Sequence, residues 1–311
     1  MPSEQGLRVR AVLEDQVTPA FKGLSDVPAF RQLWEVLAAT SVVPDDVEWE
    51  PLTASQVPCE WIHGRVTRDG QAMMYLHGGC YVLGSAATYR ELIGGLSMAT
   101  GIRVLAPDYR LAPEHPFPAA VDDALAVYRW LLGTGIEPGH VVIAGDSAGG
   151  GLALVTLVAL RDAGDPLPAG AVLLSPWTDL TCSGDSYASR AESDPLFTRE
   201  ALVSLAAQYL TGADPTSGLA SPIYADLKGL PPLLIHVGSD EVLLDDATRL
   251  AERARAAGLD VELRVWDGMW HVFQRFARLG VIEAQESIDR IGAFVNERIA
   301  EEMPAAGKES P

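Results

Sequence analysis

Short apolar runs rich in β-branched residues recur along the chain between residues 46 and 266. Runs of this kind, bounded by glycine, proline and polar residues, predict strands. We expect eight strands, at 46–51, 59–66, 72–76, 102–106, 141–144, 170–174, 233–238 and 261–266. The last five alternate with segments of helical periodicity at 118–132, 149–163, 198–210 and 242–257. This alternation predicts right-handed βαβ crossovers and an α/β fold, in which helices cover both faces of an eight-stranded, mostly parallel sheet.

Two segments do not fit this alternation. Residues 1–45 precede the first strand and show helical spacing at 7–17 and 27–40, and residues 178–225 separate two strands. We therefore expect one α/β domain over 46–303, with 1–45 and an insertion at about 178–225 outside its wound core. A helix is expected at 282–302, and residues 304–311 are expected to form a disordered tail.

The segment Gly145-Asp146-Ser147-Ala148-Gly149 follows the apolar run Val141–Ile143 and leads into a predicted helix. Gly-x-Ser-x-Gly between a strand and a helix is typical of a nucleophile elbow, in which the serine occupies a strained turn. Flanking glycines suit a residue held at positive φ, because they add no crowding side chains. The pentapeptide alone is also compatible with an ordinary glycine-rich turn, but its position between strand and helix favours a nucleophilic Ser147.

A second glycine-rich turn, His77-Gly78-Gly79-Cys80, follows an apolar strand about seventy residues upstream. Glycines allow backbone N–H groups to approach a developing oxyanion without obstruction by side chains. We expect the amides of Gly78, Gly79 and Ala148 to form an oxyanion hole, or Cys80 in place of one glycine. His77 is then a structural residue of this turn and not the catalytic base.

Together with Asp108–Glu114 and Pro116–Ala120, these turns resemble the bacterial hormone-sensitive-lipase-like (family IV) carboxylesterases, which belong to the α/β-hydrolase superfamily. The resemblance runs from about residue 70 to 275. It implies an α/β-hydrolase fold with a helical cap formed by 1–45 and 178–225. It also implies serine carboxylesterase activity on short- to medium-chain esters through an acyl-enzyme, without a metal or organic cofactor. One departure is Cys80, which replaces the third glycine of the usual His-Gly-Gly-Gly and adds a thiol there.

The base that must activate the serine is expected to be His271. α/β-Hydrolases supply their triad in the order Ser, Asp or Glu, His, and an open α/β sheet places its ligands at the carboxyl ends of strands. His271 follows the predicted strand 261–266 and matches the family pattern of a glycine, a short gap and a histidine. The other five histidines are His63 in a predicted edge strand, His77, His115 in the Pro-rich segment, His140 before a strand and His236 within one.

The orienting acid is expected in the segment that follows strand 233–238. Asp240 lies at the strand end and is the residue that the family match selects, with Glu241 as the nearest alternative. Asp245 and Asp246 are expected to support the N-terminus of the next helix, where acids are favourable. In the segment 108–120, Arg110 is expected to pair with Glu114 or Asp122.

Candidate substrate-binding residues lie in the two turns, in the predicted cap and beside His271. They are Cys80, Tyr81, Asp146, Trp34, Tyr187, Tyr209, Leu210 and Val272, with Phe30 and Phe197 as further cap candidates. Apolar and aromatic side chains line most small-molecule sites. Ordinary packing of helices on the core is at least as good an explanation for any one of the cap residues.

Composition narrows the range of partners. The net charge of -19 argues against binding to nucleic acid or to anionic membrane surfaces. The resemblance implies a small-molecule ester as the partner. Three cysteines without metal-site or disulfide spacing fit a reducing compartment. Met1–Arg10 does not read as a signal peptide, and no apolar run is long enough to span a membrane, so we expect a cytoplasmic protein. The resemblance implies that strand 261–266 lies at the sheet edge, so a homodimer is expected.

Other functions fit the same fold. A catalytically dead, ligand-binding hydrolase is one alternative, but such proteins usually lack the nucleophile or base that this chain retains. An amidase or peptidase is another, and a peptidase would usually carry a large extra domain for which this chain has no room. A lactone hydrolase would use the same triad and stays an open alternative.

Overall fold

The structure, a computed structural model, describes residues 2–22, 26–39 and 41–301. Its centre is an eight-stranded sheet, and each of its strands overlaps one that the sequence predicts. The strands are β1 (Val47–Ala54), β2 (Val57–Gly64), β3 (Ala72–Leu76), β4 (Arg103–Pro107), β5 (Val141–Asp146), β6 (Gly170–Leu174), β7 (Leu233–Gly238) and β8 (Val261–Trp266). The order across the sheet is β1-β2-β4-β3-β5-β6-β7-β8.

Strand direction confirms a mostly parallel sheet. β3 to β8 run parallel, whereas β2 is antiparallel to both of its neighbours. β1 is the outer strand, in register with β2 from Val47 opposite Gly64 to Ala54 opposite Val57. The expectation that His63 lies in an edge strand is therefore wrong, because its strand is covered on both sides. The carboxyl ends of β5, β6, β7 and β8 lie along one edge of the sheet.

Helices cover both faces of the sheet. They are α1 (Glu4–Val12), α2 (Thr18–Lys22), α3 (Val27–Ala38), α4 (Ala86–Thr100), α5 (Ala119–Gly133), α6 (Ala148–Ala163), α7 (Ser186–Ser189), α8 (Arg199–Leu210), α9 (Leu244–Ala256) and α10 (Ile282–Glu301). A π-helical turn at Leu13–Val17 joins α1 to α2, and 3-10 turns lie at Pro138–His140, Pro222–Tyr224 and Phe273–Leu279.

Helix α4 is the main element that the sequence pattern did not predict. Two adjacent glycines, Gly94 and Gly95, lie in its interior, where glycine is unfavourable. Caps at both ends of α4 offset this destabilisation. Ser85 and Thr88 form a capping box at the N-terminus, and Gly101 ends the helix in the left-handed conformation. A Cβ on Gly94 would press on Val47, so glycine there lets the helix pack closely against β1.

Two apolar layers form the core, one on each side of the sheet. One packs α4 and α10 against the sheet, and the other packs α5, α6 and α9 together with residues of the N-terminal segment and the 178–225 insertion. The last two segments meet directly, since the ring of Phe21 lies 4.9 Å from Phe30 and 6.2 Å from Phe197. The expected tail at 304–311 lies outside the described residues.

Ion pairs in the segment 108–120 differ from the expected ones. Arg110 pairs with the buried Asp123, 2.7 Å from Nη2 to Oδ1, and not with Glu114 or Asp122. Glu114 instead accepts from Arg31 of α3, which ties the N-terminal segment to this loop. Across the three stretches that the structure describes, no helix has the length and apolar character that crossing a bilayer would require.

Candidate active site

Ser147 occupies a strained turn between β5 and α6, with φ 53° and ψ -123°. The neighbouring glycines are required by space as well as by conformation. A Cβ on Gly149 would overlap the carbonyl oxygens of Leu76 and His77, and one on Gly145 would overlap the carbonyl of Gly149. The local geometry is therefore that of the nucleophile elbow expected from the sequence.

The His77–Cys80 turn is held in place by the carboxylate of Asp146, the residue before the serine. Asp146 is buried and accepts from the Gly78 amide at 2.9 Å. It also accepts from the hydroxyls of Tyr75 and Tyr89, at 2.8 and 2.9 Å. Two expectations are corrected here. The Gly78 amide is already engaged and is not free for an oxyanion, and Asp146 supports the turn and does not face a substrate pocket.

The backbone after Gly78 turns through three successive positive φ angles, 119° at Gly79, 55° at Cys80 and 63° at Tyr81. Within the described part of the chain, we find no acceptor for the amides of Gly79, Cys80 or Ala148. Successive amides in such a turn, beside the N-terminus of α6, form a concave surface that favours negative charge. Of the amides in this turn, that of Gly78 is bound by Asp146, whereas those of Gly79 and Cys80 line the concave surface.

Arg275 and Trp34 belong to a layer that supports Asp146. Burial raises the pKa of Asp146, while the positive charge of Arg275 and the two tyrosine hydroxyls act in the opposite direction. The Arg275 guanidinium lies over the rings of Tyr89 and Trp34, at 4.3 and 4.6 Å. The indole of Trp34 donates to Thr88 Oγ1 at 3.3 Å. The structure thus places Trp34 against α4 and not, as expected, in a substrate pocket.

Neither His77 nor His236 is placed to serve as a base. The His77 ring stacks on Tyr109 with centroids 4.3 Å apart, and burial lowers its pKa to about 4. Nδ1 of His236 lies 2.7 Å from Ser287 Oγ on the α10 side of the sheet, and burial lowers its pKa to about 3.

His271 is paired with Glu241 and not with Asp240. Nδ1 of His271 lies 2.7 Å from Oε2 of Glu241, and both side chains are buried. The other oxygen, Oε1, accepts from the Gly238 amide at 2.6 Å and from Ser175 Oγ at 2.8 Å. A carboxylate with donors on both oxygens is rigidly oriented, and it fixes the ring of the histidine that it contacts.

The expected acid Asp240 points the other way. Its amide donates to the carbonyl of Met269 at 3.0 Å, and its carboxylate forms an ion pair with Arg10 of α1. The chain leaves β7 through a turn at Ser239 and Asp240. The side chain of Asp240 therefore points outward to Arg10, and that of Glu241 points inward to His271. The prediction of Asp240 as the partner of His271 is therefore wrong, and the alternative Glu241 takes its place.

Burial lowers the pKa of His271, but the surrounding acids outweigh this effect. The hydrogen bond and charge of Glu241 raise it most, followed by the charges of Asp194 and Asp146, so the pKa of His271 lies above its usual value. Asp194 belongs to the 178–225 insertion, and nothing in the sequence motifs pointed to it.

Ser175 at the end of β6 is a second residue that motif reasoning missed. Its φ is 45°, its amide donates to the His236 carbonyl, and its hydroxyl accepts from the amide of Val272 at 3.1 Å while donating to Glu241. Ser147 donates its own amide to Leu174, the residue before Ser175. Ser175 therefore joins the serine turn, the acid and the segment of His271 at one edge of the sheet.

The remaining candidate pocket residues are buried in apolar packing. The ring of Tyr81 stacks on Tyr209 with centroids 3.9 Å apart, and both rings are enclosed. Val272 packs in the apolar layer with α4 and α10. The others, Cys80, Tyr187 and Leu210, pack in the layer that includes residues of the N-terminal segment and the insertion. Phe197, in the 178–225 insertion, contacts His271 with its ring edge-on at 5.0 Å.

Comparison with known proteins gives consistent results. A family model described as "alpha/beta hydrolase fold" matches residues 73–275. An acetyl-hydrolase of Streptomyces hygroscopicus is 46% identical over 267 residues, covering 86% of this chain and 87% of that protein. An esterase of Acinetobacter venetianus is 38% identical over 249 residues, covering 80% and 82%.

Solved structures agree with this relationship. The crystal structure of an esterase from the bacterial hormone-sensitive lipase family is 46% identical, with a TM-score of 0.92, and covers 96% of this chain and 99% of that one. The chain belongs to the bacterial hormone-sensitive-lipase-like (family IV) carboxylesterases of the α/β-hydrolase superfamily, and it is a carboxylic-ester hydrolase.

Proposed function

We propose that this protein hydrolyses short- to medium-chain carboxylic esters through an acyl-enzyme formed on Ser147, with His271 as the base and Glu241 as the orienting acid. The observation that carries the proposal is the buried contact of 2.7 Å between His271 Nδ1 and Glu241 Oε2. This contact leaves the other ring nitrogen of His271 as the one that can exchange a proton with a nucleophile or leaving group.

In the proposed reaction, His271 takes the proton of the Ser147 hydroxyl as its oxygen attacks the ester carbonyl. The tetrahedral intermediate then collapses, and His271 gives the proton to the departing alcohol, leaving an acyl-Ser147 ester. Water, deprotonated by the same histidine, attacks the acyl group. The second tetrahedral intermediate then collapses, His271 returns the proton to the Ser147 oxygen, and the carboxylic acid is released. Glu241 stabilises the imidazolium in both halves of the cycle, and its fixed position avoids reorganisation during the reaction.

The oxyanion is proposed to bind at the amides of Gly79, Cys80 and Ala148. The basis is that Asp146 occupies the Gly78 amide and thereby orients the following turn. A positive φ at Cys80 keeps successive amides on the concave side of that turn. Loss of one such donor typically costs roughly 100- to 1000-fold in rate.

We propose that the aromatic side chains around His271 limit the length of the acyl group. Phe197 lies against His271, and the rings of Phe21, Tyr81 and Tyr209 fill the layer beneath the N-terminal segment and the insertion. A pocket enclosed by such side chains favours acyl chains of about two to eight carbons over long lipid chains. The similarity to an acetyl-hydrolase supports the lower end of this range.

A substrate panel tests the proposal. Wild type and Ser147→Ala would be assayed on p-nitrophenyl esters of increasing chain length, on lactones, on p-nitroanilides and on emulsified long-chain triglycerides. We expect the highest kcat/KM on the short esters, and less than a few per cent of that activity in folded Ser147→Ala, because its hydroxyl forms the acyl bond. A preference for lactones, anilides or triglycerides, or an active Ser147→Ala, would contradict the proposal.

A further inference from the structure

Asp194 is a buried carboxylate of the insertion that joins two parts of the site. Its Oδ1 accepts from the amides of Leu196 and Phe197, at 2.7 and 3.0 Å. Its Oδ2 accepts from the amide of Val242 at 2.8 Å, and Val242 directly follows Glu241. One side chain thus connects the turn that carries Phe197 with the loop that carries the acid.

We propose that Asp194 is a positioning residue for the His271–Glu241 pair, holding Phe197 against one side of the imidazole and Glu241 against the other. This inference rests on the proposed function, because it assigns Asp194 a part in keeping His271 ready for catalysis. Phe197 meets the His271 ring edge-on at 5.0 Å, and Glu241 meets its Nδ1 at 2.7 Å. Asp194 binds the amide of Phe197 through Oδ1 and the amide of Val242, next to Glu241, through Oδ2. Both contacts with His271 therefore depend on Asp194.

The segment around Asp194 is also fixed from its outer side. Arg10 of α1 donates to the carbonyl of Ser193 at 2.7 Å and pairs with the carboxylate of Asp240. The insertion therefore contacts both α1 and the acid loop, the segment 239–242 after β7, and Asp194 makes the contact with the acid loop. A carboxylate is suited to this place, because two oxygens can accept three amide hydrogens and an amide side chain has only one acceptor oxygen.

The charge of Asp194 has a measurable consequence for His271. The acids that act on His271 come from three elements: Glu241 after β7, Asp194 in the insertion and Asp146 at the end of β5. Each favours the imidazolium. Arg10 of α1, which donates to the carbonyl of Ser193, is engaged with Asp240 and Glu14. Burial raises the pKa of Asp194 itself, while its amide donors favour the charged form.

The test is Asp194→Asn, which has nearly the same shape and no charge. The amide oxygen can keep the bonds to Leu196 and Phe197, but its NH₂ group then faces the Val242 amide. Loss of a negative charge destabilises the imidazolium, so the acid limb of the kcat/KM profile on p-nitrophenyl acetate should move to lower pH. We expect a shift of about half a pH unit or more. We also expect a decrease in kcat of roughly 10- to 100-fold with a smaller change in KM, because pre-organisation is lost.

Asp179→Asn is the matched control. Asp179 is likewise a buried carboxylate near the start of the insertion, and it accepts from the Thr181 and Ser183 amides and pairs with Arg249. We expect its substitution to lower thermal stability without moving the acid limb. If Asp194→Asn does not fold, Asp194→Ser is the second variant, since a hydroxyl can still accept from the Phe197 amide.

An NMR titration of the His271 ring, in wild type and in the Asp194 variant, measures the same shift without reliance on turnover. An acid limb and a ring titration that are both unchanged in the variant would overturn the inference, as would an equal shift in Asp179→Asn. Failure of the proposed function has a different signature, because wild type would then lack esterase activity or Ser147→Ala would retain it.

Discussion

Two adjacent acids, Asp240 and Glu241, have different environments because the chain turns sharply between them. Glu241 is fully buried against His271, whereas Asp240 is partly exposed and paired with Arg10. Motif reasoning selected Asp240 because it comes first after the strand. Which acid pairs with His271 depends on which side chain the turn at Ser239 directs inward. The hydrogen bond from the Asp240 amide to the carbonyl of Met269 fixes that turn. A one-residue difference of that kind is set by tertiary contacts that no local pattern encodes.

The first prediction separates the two acids. Glu241→Gln should reduce kcat on short esters by roughly 1000- to 10,000-fold, because the neutral amide cannot stabilise the imidazolium and disfavours the correct tautomer. Asp240→Asn removes a partly exposed ion pair, which is worth about 1 kcal/mol or less, and should retain most of the activity. Steady-state kinetics of both variants, with circular dichroism to confirm folding, checks this. Comparable losses in the two variants would contradict the assignment of the acid.

A second prediction concerns Cys80, which replaces a glycine of the family motif. Its side chain is buried, and burial raises the pKa of the thiol to about 12, so the reactive thiolate is scarce at neutral pH. Iodoacetamide should therefore leave wild-type activity intact over the time in which it modifies an exposed thiol. Cys80→Gly, measured in parallel, should be equally resistant. Inactivation of wild type with protection in Cys80→Gly would show that the thiol is accessible within the site.

At the scale of elements, the strands were predictable and helix α4 was not. The central strands β3, β5, β6 and β7 show short apolar runs, because both faces of the sheet are covered there. Helix α4 has paired glycines that weaken the helical pattern. It depends on its capping box, on contact with β2, β4 and α10, and on the close approach of Gly94 to Val47. The elbow was predictable for a related reason. The turn at Ser147 leaves no room for a Cβ on Gly145 or Gly149, so the glycines that mark the elbow in the sequence are also required by its packing.

The N-terminal segment is bound to the rest of the protein at several separate points. Arg31 donates to the carbonyls of Val82 and Ala112, at 2.7 and 2.9 Å, next to the His77–Cys80 turn. Phe21 and Phe30 are buried, and Arg10 reaches the acid loop. These contacts support the expectation that residues 1–45 form part of a cap, although their pattern alone predicted only helices.

Removing residues 1–45 is the third prediction. The truncated protein should lose activity on all ester chain lengths and should aggregate, because the apolar surface beneath Phe21 and Phe30 becomes exposed. The milder variant Arg31→Ala should lower the melting temperature and reduce activity less. Light scattering measures aggregation, thermal unfolding measures the melting temperature, and ester hydrolysis measures activity. A monodisperse truncated protein with full activity would contradict a cap role for this segment.

For the whole molecule, the order of the strands determines which surfaces stay open. β1 and β8 are the two edges of the sheet, so each has one side without a strand partner within the described residues. Arg264 of β8 pairs with Glu262, which is also bound by Arg290, and Val265 is 46% exposed. The position of this strand at the edge was expected from the family resemblance. A surface of unpaired backbone with an exposed apolar residue invites pairing with another copy.

We propose that β8 forms a two-fold dimer with the same strand of a second copy, in the isologous arrangement typical of homodimers. Val265→Lys should weaken this dimer, because a lysine on an edge strand disfavours strand addition. Val66→Lys is the control, since Val66 is 86% exposed in the loop after β2 and away from β8. Light scattering at micromolar concentration should show dimer for wild type and for the control, and monomer for Val265→Lys. A wild-type monomer at that concentration, or a Val265→Lys protein that stays dimeric, would rule out this edge as the interface.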